Sequence, residues 1–436
     1  MKKVLIILSL ATGLWAQGFD GVALGLGDNY ATLSRGVHAL NYNPANVALP
    51  RGNIFEFNLI GLNIGLFNNS FSLDTYNRFF VTDEEENRWS KSDRNEFLDL
   101  IPDAGLKLNS QITANAFGFA FNNFALAVQP VVVGQINTFK DKALLDMGFF
   151  GDHVTKNYER NFDDVLQGSS FGAVKVSLAY AYPFLQIQKY LPDFPYLAVG
   201  IGVNYYISMA VAQIENSAAW VKRTQFDDYE VDEISVDMQA KTALSEGTSP
   251  VGKGRSFNFG LATQFKEKWQ FSLSFIDLGG SVHYSEKTER HKINMYGKAI
   301  VYHPFDEDPE TEDSSVDTTE TIEPFDVDVP SKMRLGAAYQ FKKNLVFTAE
   351  YVQGLDHSFG NSTTPRIGAG VFYKPLWWLP LRGGFSLGGN NGFIIALGSG
   401  IDLKYMTIDF SYAMKNALWP THSEGLFTGI SLMIKL

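Results

Sequence analysis

The strongest pattern along the chain is alternation. From Tyr405 to Lys415, Met406, Ile408, Phe410, Tyr412 and Met414 alternate with Thr407, Asp409, Ser411, Ala413 and Lys415. Successive side chains on a strand point to opposite faces, so this segment has one apolar face and one polar or small face. The last strand repeats the pattern, with Leu426, Ile430, Leu432, Ile434 and Leu436 set against Gly425, Gly429, Ser431 and Lys435. Phe257, Phe259, Leu261 and Phe265 alternate in the same way, as do Trp269, Phe271, Leu273 and Phe275. A soluble β-sandwich also alternates. Length separates the two: these segments run to roughly ten residues, against about five or six in globular strands and about nine to eleven in strands that cross a bilayer.

Applied to the whole chain, the pattern predicts strands near 54–66, 110–121, 123–137, 169–183, 195–212, 254–266 and 268–284. It continues with strands near 331–341, 344–355, 364–374, 381–389, 393–403, 405–415 and 425–436. That makes about 14, an even number as bacterial outer-membrane barrels have. The predicted fold is all-β, a transmembrane antiparallel β-barrel.

The connections fall into two sets. Asn122-Asn123, Lys266-Glu267-Lys268, Lys342-Lys343-Asn344 and Leu403-Lys404 are tight, and Phe184 to Pro195 is the one longer link on that side. The segments near 68–109, 138–168, 213–253 and 285–330 all fall on the other side. Short periplasmic turns and long extracellular loops are what a barrel predicts. Phe121 and Phe124, Phe265 and Trp269, Trp377 and Trp378, and Tyr405 flank the short turns. Amphipathic rings gather at a membrane interface in this way. In the first long loop, Ser92 with Glu96 before Phe97, Leu98, Leu100 and Ile101 predicts a short capped helix.

The start of the chain adds a destination. Lys2 and Lys3 precede the apolar run Val4 to Leu10, which fades into Leu14-Trp15-Ala16-Gln17. This predicts a signal peptide over 1–16, cut after Ala16, and hence export to the outer membrane. Composition agrees: 436 residues hold 35 Phe, 19 Tyr and 39 Gly and no Cys, so neither a disulfide framework nor a lipidated cysteine is available. Mean hydropathy is only −0.08. An exported chain that spans a membrane without apolar helices has to close into a barrel, because only closure pairs every backbone group in lipid.

Charge narrows the partners. A net charge of −11 excludes nucleic acid, whose phosphates require basic surface. Eleven carboxylates, with no Lys or Arg among them, lie between His303 and Pro330. Such a block repels itself and is expected to stay extended in water. It lacks the central Gly and terminal Glu of an EF-hand. The seven histidines show no metal-ligand spacing, and Gly25-Leu26-Gly27 lacks the rest of a dinucleotide loop. No catalytic residue, metal or cofactor is predicted, and the chain is not read as an enzyme.

Residues 36–49 carry a more specific signal. Asn43-Pro44-Ala45, followed by Asn46-Val47-Ala48-Leu49, resembles the Asn-Pro-Ala motif of FadL-type long-chain fatty-acid outer-membrane transporters. Val329-Pro330, Arg334-Leu335-Gly336-Ala337 and Tyr339 also look like strand starts in that superfamily. The resemblance implies that residues 17–50 form a plug, with Asn43, Pro44 and Ala45 within it, and that 51–436 form the barrel. It implies passive transport of hydrophobic small molecules such as fatty acids. The same superfamily includes the type IX secretion outer-membrane shuttle, so a protein-binding barrel that serves secreted proteins or acts as a surface scaffold is the alternative. Outer-membrane lipid is a partner in either case.

One wall position stands out within this frame. Pro130, in the third strand, has no N–H with which to complete a ladder, and so marks a bulge, kink or unpaired edge. Gly134, four residues on, tolerates the angles of a bulge. In the family that Asn43-Pro44-Ala45 resembles, a kinked third strand opens the wall sideways, and Pro130 with Gly134 is the predicted place for such an opening.

Overall fold

The computed structural model describes residues 21–81, 91–103, 105–138, 157–302 and 310–436. The predicted signal peptide at 1–16, residues 17–20 of the predicted plug, His153, His303 and Asp306 to Asp308 lie outside the described residues.

Strands in chain order are β1 Phe55–Asn68, β2 Leu106–Asn115, β3 Phe117–Phe121, β4 Phe124–Thr138 and β5 Tyr158–Asp163. Next come β6 Leu166–Phe184, β7 Leu197–Gln225, β8 Tyr229–Leu244, β9 Gly252–Phe265 and β10 Trp269–Tyr284. Then follow β11 Thr288–Tyr302, β12 Glu310–Thr321, β13 Phe325–Asp328, β14 Lys332–Lys342 and β15 Leu345–Gly354. The last are β16 Arg366–Leu376, β17 Leu379–Gly388, β18 Ile394–Asp402, β19 Met406–Lys415 and β20 Gly425–Lys435.

Each wall strand pairs antiparallel with the next. β1 pairs with β20 from Glu56↔Lys435 to Phe67↔Gly425, which closes the cylinder. β2 and β3 together make one wall strand against β1, and β13 and β14 make one against β10. The result is a closed barrel of fourteen strands, and every strand segment read from the alternation lies in its wall.

The wall is apolar outside and polar inside. Ile201, Val203, Phe257, Phe259, Phe271, Leu335, Ile367, Phe385, Phe410 and Ile430 are exposed, while Asn204, Ser256, Asn258, Ser272, Ser274, Arg334, Glu350 and Ser411 are buried. A soluble sandwich would have the reverse sorting, so the belt of exposed rings and aliphatic chains identifies a lipid-facing surface. Phe124, Trp269, Trp377 and Tyr405 are exposed beside the short turns, where a girdle was expected. Lys266 and Glu267 both have positive φ, at 48° and 60°. This is the mirror-type turn that fits the twist of a hairpin.

The long-loop side departs from the expectation. Segments 213–253 and 285–330 are largely strand: β7 continues past the wall and pairs with β5 and β8, β8 pairs with β11, and β11 with β12. The acidic block therefore includes a hydrogen-bonded edge strand, exposed along nearly all its length. Two of its carboxylates meet cations across the ladder: Glu320 meets Arg290 at 3.4 Å and Lys292 at 3.1 Å, and Glu312 meets Lys298 at 3.9 Å. The Lys292 ammonium, bonded to that carboxylate, holds Glu320 below its ordinary range. Hydropathy alone could not show this pairing, because the matching cations lie on a different strand. In the first long loop the helix spans Lys91–Asp99, so Ser92 sits inside it and not at its cap. A second helix, Leu73–Phe80, is capped by Ser72, whose side chain accepts from the Thr75 amide at 3.1 Å.

Candidate functional site: the N-terminal segment and the lumen it occupies

Residues 21–49 form short helical turns, Gly21–Gly25, Gly36–His38, Ala39–Tyr42 and Pro44–Ala48, almost wholly buried inside the wall. Asn43 is the hinge between the last two. Its backbone is extended (φ −159°, ψ 107°), and its side-chain oxygen accepts from the Ala45 amide at 3.0 Å, an N-cap with Pro44 at the first position of the turn. Its amide nitrogen donates to the Leu261 carbonyl on β9 at 2.8 Å. The side chain thus starts the Pro44–Ala48 turn and fastens it to the wall.

The seat for this motif is made of two glycines, which the sequence reading missed. Gly200 on β7 and Gly260 on β9 are register partners. A Cβ on Gly200 would lie 2.2 Å from the Ala45 nitrogen, and one on Gly260 would lie 2.0 Å from Asn43 Oδ1. Only absent side chains allow so close an approach. The signal, in hindsight, is glycine at inward positions on adjacent strands.

Ion pairs fasten the rest of the segment. Asp28 meets Arg334 at 2.6 Å and Arg366 at 3.1 Å, and Arg334 also meets Glu350 at 2.5 Å. Tyr42 donates to Asp28 at 2.8 Å, and its ring lies 4.6 Å from the Arg334 guanidinium carbon. Glu350 accepts from the Ala31 amide at 2.9 Å. Fully buried charges persist only when paired and hydrogen-bonded in this manner. Arg334, noted in the sequence as a strand start, is a wall anchor for the segment.

Toward the long-loop end the lumen turns apolar. Val131, Val133, Phe171, Tyr206, Val282, Tyr284 and Val329 form a buried cluster with Phe359, from the link between β15 and β16. Phe359 has φ 42°, and its ring centre lies 5.3 Å from that of Phe171 on β6, tilted by 36°. A chain segment leaving β15 therefore reaches strands across the bore.

Pro130 is exposed on the outside of β4, between the inward Val131 and Gln129. β4 pairs with β2 as far as Val131↔Thr113 and with β3 from Val128↔Phe117, so the ladder is interrupted opposite Gln129 and Pro130. Val128 accepts from the Ala116 amide, and alternation then turns the Pro130 backbone toward this same break. Thr113 Oγ1, both Asn115 side-chain polar atoms and Gln129 Oε1 are buried there without a hydrogen-bond partner among the described residues. Gly134 lies elsewhere, in continuous register between Ser110 and Ser170.

A second interruption was not foreseen. β10 pairs with β14 to Ile276↔Lys332 and with β13 from Ser281↔Asp328. Between them Asp277 and Gly279 have φ 58° and 60°. Asp277 is turned inward, where Lys175 at 3.1 Å, Asn204 at 2.6 Å, Tyr206 at 2.6 Å and Ser256 at 2.7 Å all reach its carboxylate.

These features define an outer-membrane β-barrel whose bore is occupied by its own N-terminal segment. The chain belongs to a family described as "Family of unknown function (DUF5723)", which matches residues 44–410. No curated protein matches it. Among solved structures it is similar to the Ralstonia pickettii toluene transporter TbuX, with 13% identity over 96% of this chain and 99% of that one, at a TM-score of 0.48. The P. putida toluene transporter TodX shares 11% identity over 96% of this chain and 99% of that one, at 0.47. A Pseudomonas aeruginosa FadL homologue shares 11% over 97% of this chain and 100% of that one, also at 0.47. None of these likenesses transfers a residue role to this chain.

Proposed function

We propose that this protein is an outer-membrane channel for passive movement of hydrophobic small molecules, with residues 21–49 as its plug. The observation that carries this reading is the buried apolar cluster of Val131, Phe171, Tyr206, Tyr284 and Phe359 inside the barrel, in a bore that also carries many buried polar side chains. An apolar cluster within such a bore favours solutes that water excludes. No covalent chemistry is part of this reading. Export rests on the signal peptide read at 1–16, and fatty acids are one class of solute that fits.

Two features support the wider assignment. Asn43, Pro44 and Ala45 sit against Gly200 and Gly260, so this seat is one place where the segment can be loosened from the wall. Val131 and Val133 belong to the buried apolar cluster while Pro130 faces outward, so an opening at Pro130 would join that apolar part of the lumen to the lipid side. Gly134 lies in that wall strand, beyond the break.

The test is solute flux in proteoliposomes, with heat-modifiable gel migration as the check on barrel assembly. Replacing Asn43 and Pro44 by Ala, or Gly260→Val, is expected to raise flux of neutral hydrophobic solutes while the barrel still assembles. Normal assembly with unchanged flux in both variants would overturn the plug reading. The protein-binding alternative has its own observation: β12 is an exposed, acidic edge strand beyond the wall, paired with β11 along one side. It requires that deleting β11 and β12 abolish delivery of a secreted protein while leaving flux intact.

A further inference from the structure

β12 has a partner on one side only. Its ladder with β11 runs from Glu289↔Thr321 to Ile300↔Glu310, and no strand pairs with its other side among the described residues. The Ile322 amide donates to the Thr288 carbonyl at 3.0 Å, which continues that register by one pair. Bonded and non-bonded pairs alternate along an antiparallel ladder, so a bonded Thr288↔Ile322 pair assigns the even positions of β12 to β11. The odd positions, Thr311, Asp313, Ser315, Asp317, Thr319 and Thr321, turn their N–H and C=O groups to the open side. We propose that this edge binds a basic, extended segment of a partner protein, which joins the sheet as one more strand.

Charge names the occupant. β12 carries Glu310, Glu312, Asp313, Asp317 and Glu320 and no Lys or Arg. Glu312 and Glu320 meet cations on β11, and Asp317 meets His291 at 3.4 Å. Glu310 and Asp313 have no cation at ion-pair distance among the described residues. A second copy of β12 would set carboxylates against carboxylates, which cross-strand pairing penalises. Charge on an edge keeps a sheet from pairing with its own kind, and the same charge admits a strand that carries Lys or Arg. Main-chain bonds alone would accept any extended chain, so the side chains along the edge set the sequence.

A groove of about 350 Å³ opens at this edge and adds a second requirement. Val221 on β7, Ile234 on β8, Gly297 on β11 and Asp313 on β12 are register partners in one row across the sheet, so they share a face. All four line the groove, together with Ala299 and Thr311 from the next row. Gly297 forms its floor, where a Cβ would lie 3.3 Å from Ile234 Cγ2. An apolar side chain of the added strand, set opposite Thr311, reaches this floor while a cation stands opposite Asp313. The fitting segment is therefore a strand with Lys or Arg on both faces and one apolar residue among them. This deepens the protein-binding reading of β12 given above and rests on it for any role in delivery, but not for binding.

The experiment is calorimetric titration of the full barrel in phosphatidylcholine nanodiscs with the end-capped peptide Lys-Thr-Thr-Thr-Lys-Lys-Leu-Lys. Paired antiparallel, it sets Lys against Asp317, Asp313, Glu312 and Glu310, and Leu against Thr311. N-methyl groups on its third and fifth residues keep the charge and remove two ladder donors, and should weaken binding at least about tenfold. A peptide with Glu in place of every Lys should not bind. Ser315→Pro removes an N–H from the open side alone, so it should weaken the Lys peptide while the barrel assembles normally. Gly297→Leu fills the groove and should weaken this peptide more than one with Thr in place of Leu, which keeps the proposal testable should Ser315→Pro disturb β12. Equal binding of the N-methylated peptide would reduce the site to charge attraction and overturn strand addition. Binding of the Glu peptide, no binding of the Lys peptide, or a barrel dimer that Ser315→Pro dissolves would each overturn it too. Peptide binding by a barrel that delivers secreted protein equally well without β11 and β12 sinks the delivery reading alone. Delivery that needs these strands, in a barrel that ignores the peptide, sinks this inference alone.

Discussion

Between β2–β3 and β4 the ladder breaks opposite Gln129 and Pro130, and between β10 and β13–β14 it breaks around Asp277. Both interruptions border the same buried apolar cluster, through Val131 on one side and Val282 and Val329 on the other. They differ in what became of the groups that the break set free. At Asp277, Lys175, Asn204, Tyr206 and Ser256 converge on one carboxylate, the Asp277 amide donates to Asn258 at 2.8 Å, and Val329 donates to the Gly280 carbonyl at 2.9 Å. At Pro130, Thr113, Asn115 and Gln129 keep unpartnered polar atoms, and the proline contributes no donor. At Asp277 only Asn204 Oδ1 is left without a partner among the described residues, and a break so largely satisfied acts as a rivet, whereas one whose groups are not is a place where the wall can part at little cost.

The comparison is broken most easily at Asp277. Asp277→Ala removes one partner of a buried ion pair and strands three neutral donors, so a loss of about 3–5 kcal/mol in unfolding stability is expected. Alanine also tolerates the positive φ poorly, which costs roughly a further 1–2 kcal/mol. Urea unfolding in lipid vesicles measures both together, and Asp277→Asn, which keeps the backbone preference, separates them. A loss below 1 kcal/mol would mean that this break is no rivet.

The effect at Pro130 should fall on flux rather than on stability. The chain has no native cysteine, so Thr113→Cys with Val131→Cys, which are register partners at the edge of the break, can staple β2 to β4. Oxidation should lower flux of hydrophobic solutes several-fold, with recovery on reduction, while the same staple should raise unfolding stability by at most about 3 kcal/mol, opposite in sign to Asp277→Ala. Undiminished flux through a verified crosslink would remove Pro130 from the path.

How far each break was legible follows from its material. Proline announces itself, since the missing N–H is a property of the residue type wherever it stands. Asp277 does not: an aspartate in an alternating strand reads as an ordinary inward polar residue. Only Gly279-Gly280 beside it hinted at irregular backbone. The wall strands were legible because alternation is a local, repeated constraint that lipid enforces from outside. Asn43, Pro44 and Ala45 were visible as a motif, while their seat at Gly200 and Gly260 depends on two strands far away in sequence meeting in register. The extension of β7 with β8, β11 and β12 was illegible for the same reason, because an exposed strand such as Glu310–Thr321 carries no apolar face to reveal its period.

The smallest expected effect concerns what braces the second break. Ser331, beside the gap between β13 and β14, donates its amide to Asp356 at 2.7 Å and its hydroxyl at 2.5 Å, and Asn361 donates to the Ser331 carbonyl at 2.7 Å. Asp356 also accepts from the Ser358 amide at 2.9 Å, next to Phe359. Burial pushes the Asp356 carboxyl up, but these hydrogen bonds outweigh it and hold the group below its ordinary value of 3.8. A depressed carboxylate contributes its stability above the unfolded value and loses it as pH falls through the folded one. The brace should therefore be intact at pH 7 and at pH 5, and should loosen only below 3.8. Hydrogen-exchange protection factors at Ser331 and Ser358, which divide out the intrinsic dependence of exchange on pH, should drop there by an amount equivalent to about 1 kcal/mol for this half-exposed group. Asp356→Asn should show the loosened value already at pH 7 and no further change in acid. Protection that is independent of pH in the native chain and equal in the variant would show that Ser331 is held by the wall alone, and the second break would then stand without help from the segment that carries Phe359.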